Sequence, residues 1–233
     1  TNTQGSVARS GQIVEVDLTS PILVIDPTTS GNGSSLAQDD LLNSSEVNQD
    51  LLVSGVTSAQ AGQPLTISLN GQDYQAVVGE AGAWSLSIPS AIFSSAPDAP
   101  LSITATTTDK AGNRVQQSRE LTVDTAAPVI SINSLAGDDI INANEKADAV
   151  QVSGHASGLN GGEVLTVSLN GKDYTTAVGA DGDWGLSVAA ADIAALADGQ
   201  YSIVAQVADA AGNGVSTHHD VELDTQLPTI RID

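Results

Sequence analysis

Short segments of alternating apolar and polar residues run along the chain, and each segment ends at turn residues. In the second half of the chain these segments are Val129–Asn133, Val150–Ala156, Leu165–Asn170, Tyr174–Val178, Gly185–Val188, Tyr201–Ala208 and Val215–Leu223. Alternation with a period of two places successive side chains on opposite faces of an extended backbone. The pattern therefore predicts seven short β-strands in this half, and not amphipathic helices.

The residues between these segments favour tight turns. Asn70–Gly71 and Asn170–Gly171 each supply two adjacent residues that tolerate a positive φ, as a two-residue hairpin requires. Gly112 and Gly212 suit a left-handed turn position for the same reason. The Ala-rich stretch 189–198 predicts a single helical turn between two strands.

The whole pattern occurs twice, at an offset of 100 residues. The string LTISLNGQDY (Leu65–Tyr74) aligns with LTVSLNGKDY (Leu165–Tyr174), and DKAGN (Asp109–Asn113) aligns with DAAGN (Asp209–Asn213). Similarity of this length at a fixed period indicates a duplicated structural unit.

A third string marks the ends of the duplicated unit. It reads DLTSP from Asp17, DTAAP from Asp124 and DTQLP from Asp224. The predicted organisation is a C-terminal strand remnant of a preceding repeat (1–17), two complete repeats (18–124 and 125–224), and the start of a following repeat (225–233). The Gly/Ser-rich stretch 28–35 predicts an enlarged loop in the first repeat. Because Met is absent, we expect the sequence to be an internal segment of a longer protein.

Seven short strands in about 100 residues, separated by turn signals, are typical of an antiparallel sandwich. The predicted fold is all-β, with two tandem seven-stranded immunoglobulin-like sandwiches. Cys is absent, so the sandwiches form without disulfides and no thiolate zinc site is available.

The few aromatic residues have structural interpretations. Trp84 and Trp184 each enter a strand after a Gly-containing turn, and we favour core packing over stacking on a sugar because the chain has few other large residues. Tyr201 follows an Asp-Gly turn, where the hydroxyl of a Tyr in such folds bonds back to the chain. Leu101 takes its place in the first repeat, which argues against a catalytic Tyr201.

The charge of the chain excludes several classes of partner. It carries 28 acidic and 7 basic side chains, for a formal net charge of −21. Nucleic acids and anionic membrane surfaces need clustered Lys and Arg, which this chain lacks. No apolar run approaches the roughly 20 residues of a spanning helix, so membrane insertion is not expected. We expect a monomer.

Strand parity predicts where the acidic loops lie. Each antiparallel strand carries the chain from one pole of a sandwich to the other, so alternate loops share a pole. The first repeat then presents Asp39, Asp40, Glu46, Asp98 and Asp124 at the pole that faces Asp209 of the second repeat, with Asp181 and Asp183 as further contributors.

So many carboxylates at one junction repel one another unless a cation is bound. Calcium fits, because it takes six to eight oxygen ligands from carboxylates, amides, carbonyls and water. The equivalent positions of the two repeats and the first Asp of each of the three boundary strings complete the set. The predicted calcium ligands are Asp17, Asp39, Asp40, Glu46, Asp98, Asp109, Asp124, Asp138, Asp139, Glu145, Asp198, Asp209 and Asp224.

The alternative for each of these residues is that Asp and Asn make turns and caps without metal. We favour that alternative for Asp73, Asp148, Asp173 and Asp192. For Asp109 and Asp209 both readings stay open, because a DxAGN turn accounts for the Asp by itself.

Together these strings resemble the bacterial immunoglobulin-like repeats of giant type I secreted, non-fimbrial adhesins of the SiiE, BapA and LapA type. The motifs that carry the resemblance are the strings DTAAP and DTQLP, the loop DDIINANE, the hairpin SLNGKDY followed by GADGDW, and the turn DAAGN. The first repeat departs from this pattern, with GEAGAW in place of GADGDW, which argues against Asp181 and Asp183 as ligands.

The resemblance implies a calcium-stiffened stalk on the surface of a Gram-negative bacterium. Such a stalk would be secreted to the cell surface and would hold an adhesive region toward host cells or a biofilm matrix. The partners would be neighbouring repeats of the same chain and, through the parent protein, a host cell-surface receptor or glycan. Calcium ligands in the family lie at the loop and repeat-boundary positions named above.

An enzyme and a ligand-binding module are the other classes of function. An enzyme is not expected, because no Ser–His–Asp arrangement has a spacing that supports it. Zinc at His155, His218 and His219 is disfavoured, because the adjacent pair points to opposite faces of one strand. A lectin-like or receptor-binding module is the remaining alternative, and it would need an exposed aromatic or apolar patch.

Overall fold

The computed structural model describes residues 15–26, 29–30, 40–94 and 98–231. In this part of the chain, the strands of the first repeat are β1 (Leu23–Ile25), β2 (Thr29–Ser30), β3 (Leu41–Leu42), β4 (Leu51–Thr57), β5 (Pro64–Leu69), β6 (Gln72–Val77), β7 (Ala83–Ile88), β8 (Pro100–Thr108) and β9 (Arg114–Val123). Those of the second repeat are β10 (Val129–Ile132), β11 (Ile140–Ile141), β12 (Val150–Ser157), β13 (Val164–Leu169), β14 (Lys172–Ala177), β15 (Asp183–Val188), β16 (Gly199–Ala208) and β17 (Gly214–Leu223).

The second repeat is a sandwich of two sheets. One sheet has the order β10-β12-β15, and the other has the order β11-β17-β16-β13-β14. All pairs are antiparallel except β11 with β17, which is parallel. The all-β immunoglobulin-like sandwich predicted from the alternation is confirmed.

The first repeat has the same arrangement. Strands β1 and β7 both pair with β4, and β9, β8, β5 and β6 follow one another in the larger sheet. The strand β2 lies beside β4, inside the Gly/Ser-rich stretch that was predicted to be only an enlarged loop. The rest of that stretch lies outside the described residues.

The core of each sandwich fills from the alternating apolar positions. In the second repeat Val152, Leu165, Val167, Ile203 and Ala205 are almost fully buried between the sheets. Trp84 and Trp184 are both 4% exposed, so the predicted core packing is confirmed. The hydroxyl of Tyr201 donates to the carbonyl of Ala197 at 2.9 Å, as predicted.

The predicted turns are also present. Asn70 and Gly71 have φ values of 48° and 76°, and Asn170 and Gly171 have 49° and 76°. Gly112 and Gly212 are left-handed, with φ of 92° and 89°. The single α-helix among the described residues, α1, spans Ala190–Ala194 within the predicted stretch. No helix in this part of the chain is long and apolar enough to cross a bilayer.

Sequence alternation missed two short features. A two-residue strand and a 3-10 turn lie within each acidic loop, at Leu41–Leu42 and Glu46–Asn48 and again at Ile140–Ile141 and Glu145–Ala147. Two residues are too few to show a period. Of the predicted strand remnant, residues 1–14 lie outside the described part of the chain, and residues 15–17 are not in a strand.

The chain divides into two compact units that do not follow the sequence repeats. The first unit is built on Gln49–Ile92 and Pro100–Thr122 and includes Asp40. The second unit contains Leu41–Asn48, Phe93–Ala99 and the chain from Val123 onward. Two segments of the first sequence repeat therefore belong to the compact unit formed by the second repeat.

Candidate functional site

The acidic loop of the first repeat is held by its own side chains. The Asn43 Oδ1 accepts hydrogen bonds from the backbone N–H groups of Ser45 at 2.9 Å and Glu46 at 3.1 Å. The Glu46 carboxylate reaches back and accepts from the Asn43 N–H at 3.1 Å. These reciprocal bonds form a capping box for the short 3-10 turn. Glu46 is 6% exposed, which is unusual for a carboxylate.

The loop of the second repeat has the same internal bonds. The Asn142 Oδ1 accepts from the N–H groups of Asn144 at 2.9 Å and Glu145 at 3.2 Å, and the Glu145 carboxylate accepts from the Asn142 N–H at 3.0 Å. The loop conformation is therefore encoded locally, by an Asn and a Glu three residues apart.

Backbone pairing brings the acidic loop to the repeat boundary in the second compact unit. The Asp124 N–H donates to the Leu42 carbonyl at 3.0 Å, and the Val123 N–H donates to the Ala99 carbonyl at 3.1 Å. Asp98 lies next to that point, and its Oδ1 accepts from the N–H of Thr125 at 3.1 Å and from its hydroxyl at 2.8 Å. Asp98, Asp124 and the loop that carries Glu46 thus share one edge.

The same edge is built at the end of the second repeat. The Asp224 N–H donates to the Ile141 carbonyl at 3.1 Å, and the Thr225 hydroxyl donates to Asp198 at 2.8 Å. Asp198, Asp224 and the loop that carries Glu145 are therefore the equivalent set.

The DxAGN turn uses its Asp internally. The Asp209 Oδ1 accepts from the Asn213 backbone N–H at 2.8 Å, and its Oδ2 accepts from Asn213 Nδ2 at 3.0 Å. Asn213 Nδ2 also donates to the Asp124 carbonyl at 2.9 Å, which holds the boundary residue against the turn.

Within the second compact unit, the acidic loop contacts this turn directly. Asn43 Nδ2 donates to the Ala211 carbonyl at 3.0 Å, and the Ser44 N–H donates to Asn213 Oδ1 at 2.9 Å. Asn213 is only 2% exposed as a result. Asp209 therefore lies in the same unit as Glu46, Asp98 and Asp124.

The first DxAGN turn closes in the same way. Asp109 accepts from the N–H of Asn113 at 2.9 Å and from its Nδ2 at 2.8 Å, and Asn113 Nδ2 also donates to the Asp17 carbonyl at 3.1 Å. The side-chain hydrogen bond from Asn113 is the main cause of a lowered Asp109 pKa. The turn alone therefore accounts for the position of Asp109.

Two of the predicted ligands are paired with a basic side chain of their own repeat. Arg119 donates to both carboxylate oxygens of Asp40, with Nε 2.8 Å from each. At the equivalent place His219 Nε2 lies 2.8 Å from Asp139 Oδ1, and this bond is the main cause of a lowered Asp139 pKa. Both Asp residues have a positive φ, at 61° and 63°, so the loop turns sharply here.

The remaining predicted ligands each hold one backbone N–H. Asp17, Asp124, Asp138 and Asp224 use Oδ1 to accept from the residue two positions later, as in an Asx-turn. Asp39 lies outside the described residues. Of Asp181 and Asp183, the first caps its own turn and the second contacts His155 Nδ1 at 3.0 Å.

The donor set at each edge consists of hard oxygen ligands. Asp98, Asp124 and Asp209 have no salt bridge to a Lys, Arg or His among the described residues. No three Asp, Glu or His side chains within the described ranges converge closely enough to hold a metal ion. Calcium also accepts backbone carbonyls, amide oxygens and water, so Glu46, Asp98 and Asp124 fit it chemically as part of a mixed set.

The alternative sites find less support in the geometry. His218 and His219 occupy successive positions of β17, with the first exposed and the second half-buried, and His155 pairs with Asp183 instead of joining them. Both Trp rings are buried, so neither offers a surface on which a sugar could stack.

Sequence reasoning missed the residues that position these loops. Arg119 and His219 lie on strands, nearly 80 residues from their Asp partners, and no short motif connects them. The sequence did contain a signal for the conformation of these loops. In each loop an Asn follows the second Asp by three residues and a Glu follows that Asn by three more, and an Asn and a Glu at this spacing form a capping box.

Comparison with known proteins agrees with this architecture. One solved structure, described as giving structural insight into host cell surface retention of a 1.5-MDa bacterial ice-binding adhesin, is 33% identical to this chain. The match has a TM-score of 0.51 and covers 88% of this chain and 65% of that chain. A second, of a Ca²⁺-stabilized adhesin that helps an Antarctic bacterium reach out and bind ice, shares 33% identity and a TM-score of 0.51, over 88% of this chain and 50% of that chain.

A third structure is a single immunoglobulin-like domain from the M. primoryensis ice-binding adhesin, with 40% identity and a TM-score of 0.33 over 41% of this chain and 96% of that one. The chain spans less than two-thirds of the first two structures, at 65% and 50% of their length. The comparison with curated proteins finds no match. The family described as bacterial Ig-like domain matches residues 22–125 and 139–225, once in each repeat. The chain belongs to the bacterial Ig-like domain family.

Proposed function

We propose that this chain is a calcium-stiffened spacer segment of a large bacterial surface adhesin. Its repeats would extend an adhesive region, carried elsewhere in the parent protein, away from the cell. Contact with a host-cell receptor or glycan would belong to that region and not to these repeats. Export by a type I secretion route and an extracellular location are part of the same proposal.

The observation that carries the proposal is the repeated acidic edge. Uncompensated carboxylates lie at each repeat boundary, at Asp98 and Asp124 and again at Asp198 and Asp224. The support from comparison is that a structure 33% identical to this chain is of a Ca²⁺-stabilized adhesin. An extracellular calcium module with millimolar affinity would be filled outside the cell and empty inside it.

The residues that would hold calcium at the first edge are Glu46, Asp98 and Asp124, with Asp209 and Asp39 as further candidates. Glu145, Asp138, Asp198 and Asp224 are the equivalent candidates at the second edge, and Asp17 and Asp109 those at the start of the chain. Asp40 and Asp139 would contribute by fixing the loops through Arg119 and His219. When bound, the ion would neutralise the carboxylates that otherwise repel one another.

Calcium titration by calorimetry tests the binding. We expect heat of binding with a Kd of about 10⁻⁴–10⁻³ M, and no comparable binding of Mg²⁺, which demands a tighter octahedral site. Asp124→Ala should remove or weaken one class of site at least about tenfold. Asp73→Ala is the matched control, because Asp73 bonds only to Ser68 in an exposed hairpin. Absence of calcium heat in the unmodified chain would refute the proposal.

Small-angle scattering tests the stiffening separately. Calcium should narrow the distribution of distances between the two repeats, and chelator should broaden it. The reason is that an ion shared across the boundary restricts the motion of one repeat against the other. A distribution that is the same in calcium and in chelator would leave a binding site without a mechanical role.

A further inference from the structure

The acidic loop exists in two copies that differ in exposure. In the first copy Asn43 is half-buried and Glu46 is buried, whereas in the second copy Asn142 is exposed and Glu145 is half-buried. The internal hydrogen bonds of the two copies are the same. The difference therefore comes from what covers each loop and not from its conformation.

The DxAGN turn shows the opposite difference. Ala211 and Asn213 in the second copy are buried, at 6% and 2% exposure, whereas Ala111 in the first copy is exposed and Asn113 is half-buried. A Cβ added to Gly212 would lie 3.4 Å from Asn43 Nδ2, whereas one added to Gly112 would meet nothing within 4 Å. The buried loop and the buried turn are the two that contact each other in the second compact unit.

We infer that the exposed loop and the exposed turn are the two halves of the same joint. Asn142–Ala143 would receive the DxAGN turn of a further copy of this repeat, and Ala111–Asn113 would receive the acidic loop of another. The occupant proposed for each surface is thus a repeat of this kind, joined through two direct hydrogen bonds between protein groups.

The groups needed for those bonds are available. In the first copy, Asn43 Nδ2 and the Ser44 N–H are the donors. At the second copy the same donors are Asn142 Nδ2 and the Ala143 N–H, and neither has a hydrogen-bond partner among the described residues. Ser44 donates through its backbone N–H and not through its side chain, so Ala143, the equivalent residue of the second loop, has the same donor.

The acceptors at the other end are equally matched. Asn213 Oδ1 and the Ala211 carbonyl accept the two bonds in the second turn. In the first turn, Asn113 Nδ2 donates hydrogen bonds to the Asp109 carboxylate and to the Asp17 carbonyl. Asn213 Nδ2 donates in the same way to the Asp209 carboxylate and to the Asp124 carbonyl. These bonds fix the orientation of the amide, and Asn113 Oδ1 has no hydrogen-bond partner among the described residues.

This inference deepens the proposed spacer function and rests on it only in requiring flanking repeats. It does not require calcium. Lengthening the chain by one repeat tests it: a copy of residues 134–231 appended after Asp233 continues the sequence in register, because Asp224 to Asp233 align with Asp124 to Asn133. The measurement is the rate of amide hydrogen exchange of Ala143, which NMR monitors in calcium and in excess chelator.

We expect the Ala143 N–H to exchange at least about tenfold more slowly in the lengthened chain than in the original chain, in chelator as well as in calcium. Asn142→Ser should reverse much of that slowing, because Ser keeps an acceptor for the cap and loses the amide donor. Asn144→Ala is the matched control in the same exposed loop, and it should leave the slowing intact.

Unchanged Ala143 exchange in the lengthened chain would overturn the inference. Slowing that occurs only with calcium would also overturn it, while supporting calcium at the boundary. Slowing in chelator from a chain that gives no calcium heat would support the joint and refute the calcium proposal, so the two failures are distinguishable.

Discussion

At the scale of single residues, the clearest constraint is the contact between a Gly and the Trp of the neighbouring strand. A Cβ built on Gly154 would lie 1.9 Å from the Ser131 carbonyl oxygen and 2.5 Å from the Trp184 ring. Gly55 and Trp84 repeat this arrangement in the first sandwich. The Trp ring can pack closely over the backbone of the glycine because this strand partner has no side chain.

Gly154→Ala should therefore destabilise the second repeat by at least about 2 kcal/mol, because backbone and ring must move to admit one methyl group. Gly185→Ala is a matched control on the paired strand, where the added Cβ would have an ordinary 3.6 Å contact with Ser153 Cβ. That control should be neutral or stabilising by about 0.5 kcal/mol. Chemical denaturation measures both, and equal stabilities would show that the site relaxes freely.

A second residue-scale prediction concerns pH. Lys172 Nζ lies 2.6 Å from both oxygens of Asp192, and the Tyr174 hydroxyl donates to the same carboxylate at 2.9 Å. The bond from Lys172 is the largest cause of a lowered Asp192 pKa, with Tyr174 second. A lowered pKa in the folded state adds stability above the unfolded value of about 3.9, and this stability is lost as pH falls through the folded pKa.

Lys172→Ala should raise the Asp192 pKa toward its ordinary value and flatten the acid side of the stability curve. NMR titration of the Asp192 carboxyl carbon reports the shift directly. Lys110→Ala removes the same charge from the first repeat and should leave the Asp192 titration unchanged. A titration of Asp192 that is indifferent to Lys172 would contradict the assignment.

At the scale of elements, each acidic loop is fixed to the sandwich by one basic side chain on the last strand. Arg119 on β9 holds Asp40, and His219 on β17 holds Asp139. The two pairs are equivalent in position and differ in geometry, because the Arg119 guanidinium bonds both carboxylate oxygens of Asp40, whereas His219 contacts one oxygen of Asp139 through a single ring nitrogen. The first loop therefore has the more extensive attachment.

Arg119→Ala should cost about 1–2 kcal/mol of unfolding free energy, because it leaves a largely buried carboxylate without its charged donor. Arg114→Ala is the matched control, since Arg114 lies on the same strand and bonds only to the exposed Gln116. Thermal unfolding of the two variants compares them. Equal losses would mean that the Asp40 pair adds nothing beyond an exposed charge.

The same elements show what could be read from the sequence. Alternation and turn residues were sufficient for seven of the eight strands of the second repeat, the Asn-Gly hairpins and the helical turn, because each of these is encoded within a few residues. The strands Leu41–Leu42 and Ile140–Ile141 were missed because two residues show no period. The partners of Asp40 and Asp139 were missed because ion pairs across a sheet leave no local pattern.

At the scale of the whole molecule, the proposed function rests on the acidic residues at the two repeat boundaries. Duplication places an equivalent set of carboxylates at the end of each repeat, so one interaction would recur at every boundary of a longer protein. Single sites of modest affinity could then stiffen a long array without strong binding at any one boundary.

Asp124→Ala is expected to weaken the boundary without unfolding either repeat, because Asp124 is outside both cores and its backbone bonds remain. Far-ultraviolet circular dichroism of the variant should match that of the original chain, while its response to calcium falls. Loss of the β-sheet signal in chelator would instead assign Asp124 a role in folding itself.

The most direct test of the calcium account is differential scanning calorimetry of the unmodified chain in 10 mM CaCl₂ and in chelator at matched ionic strength. With Kd values of about 10⁻⁴–10⁻³ M, linkage predicts about 1.4–2.7 kcal/mol of added stability per site. For repeats of this size the melting temperature should rise by roughly 5 °C or more. Superimposable melting curves in calcium and in chelator would contradict the account.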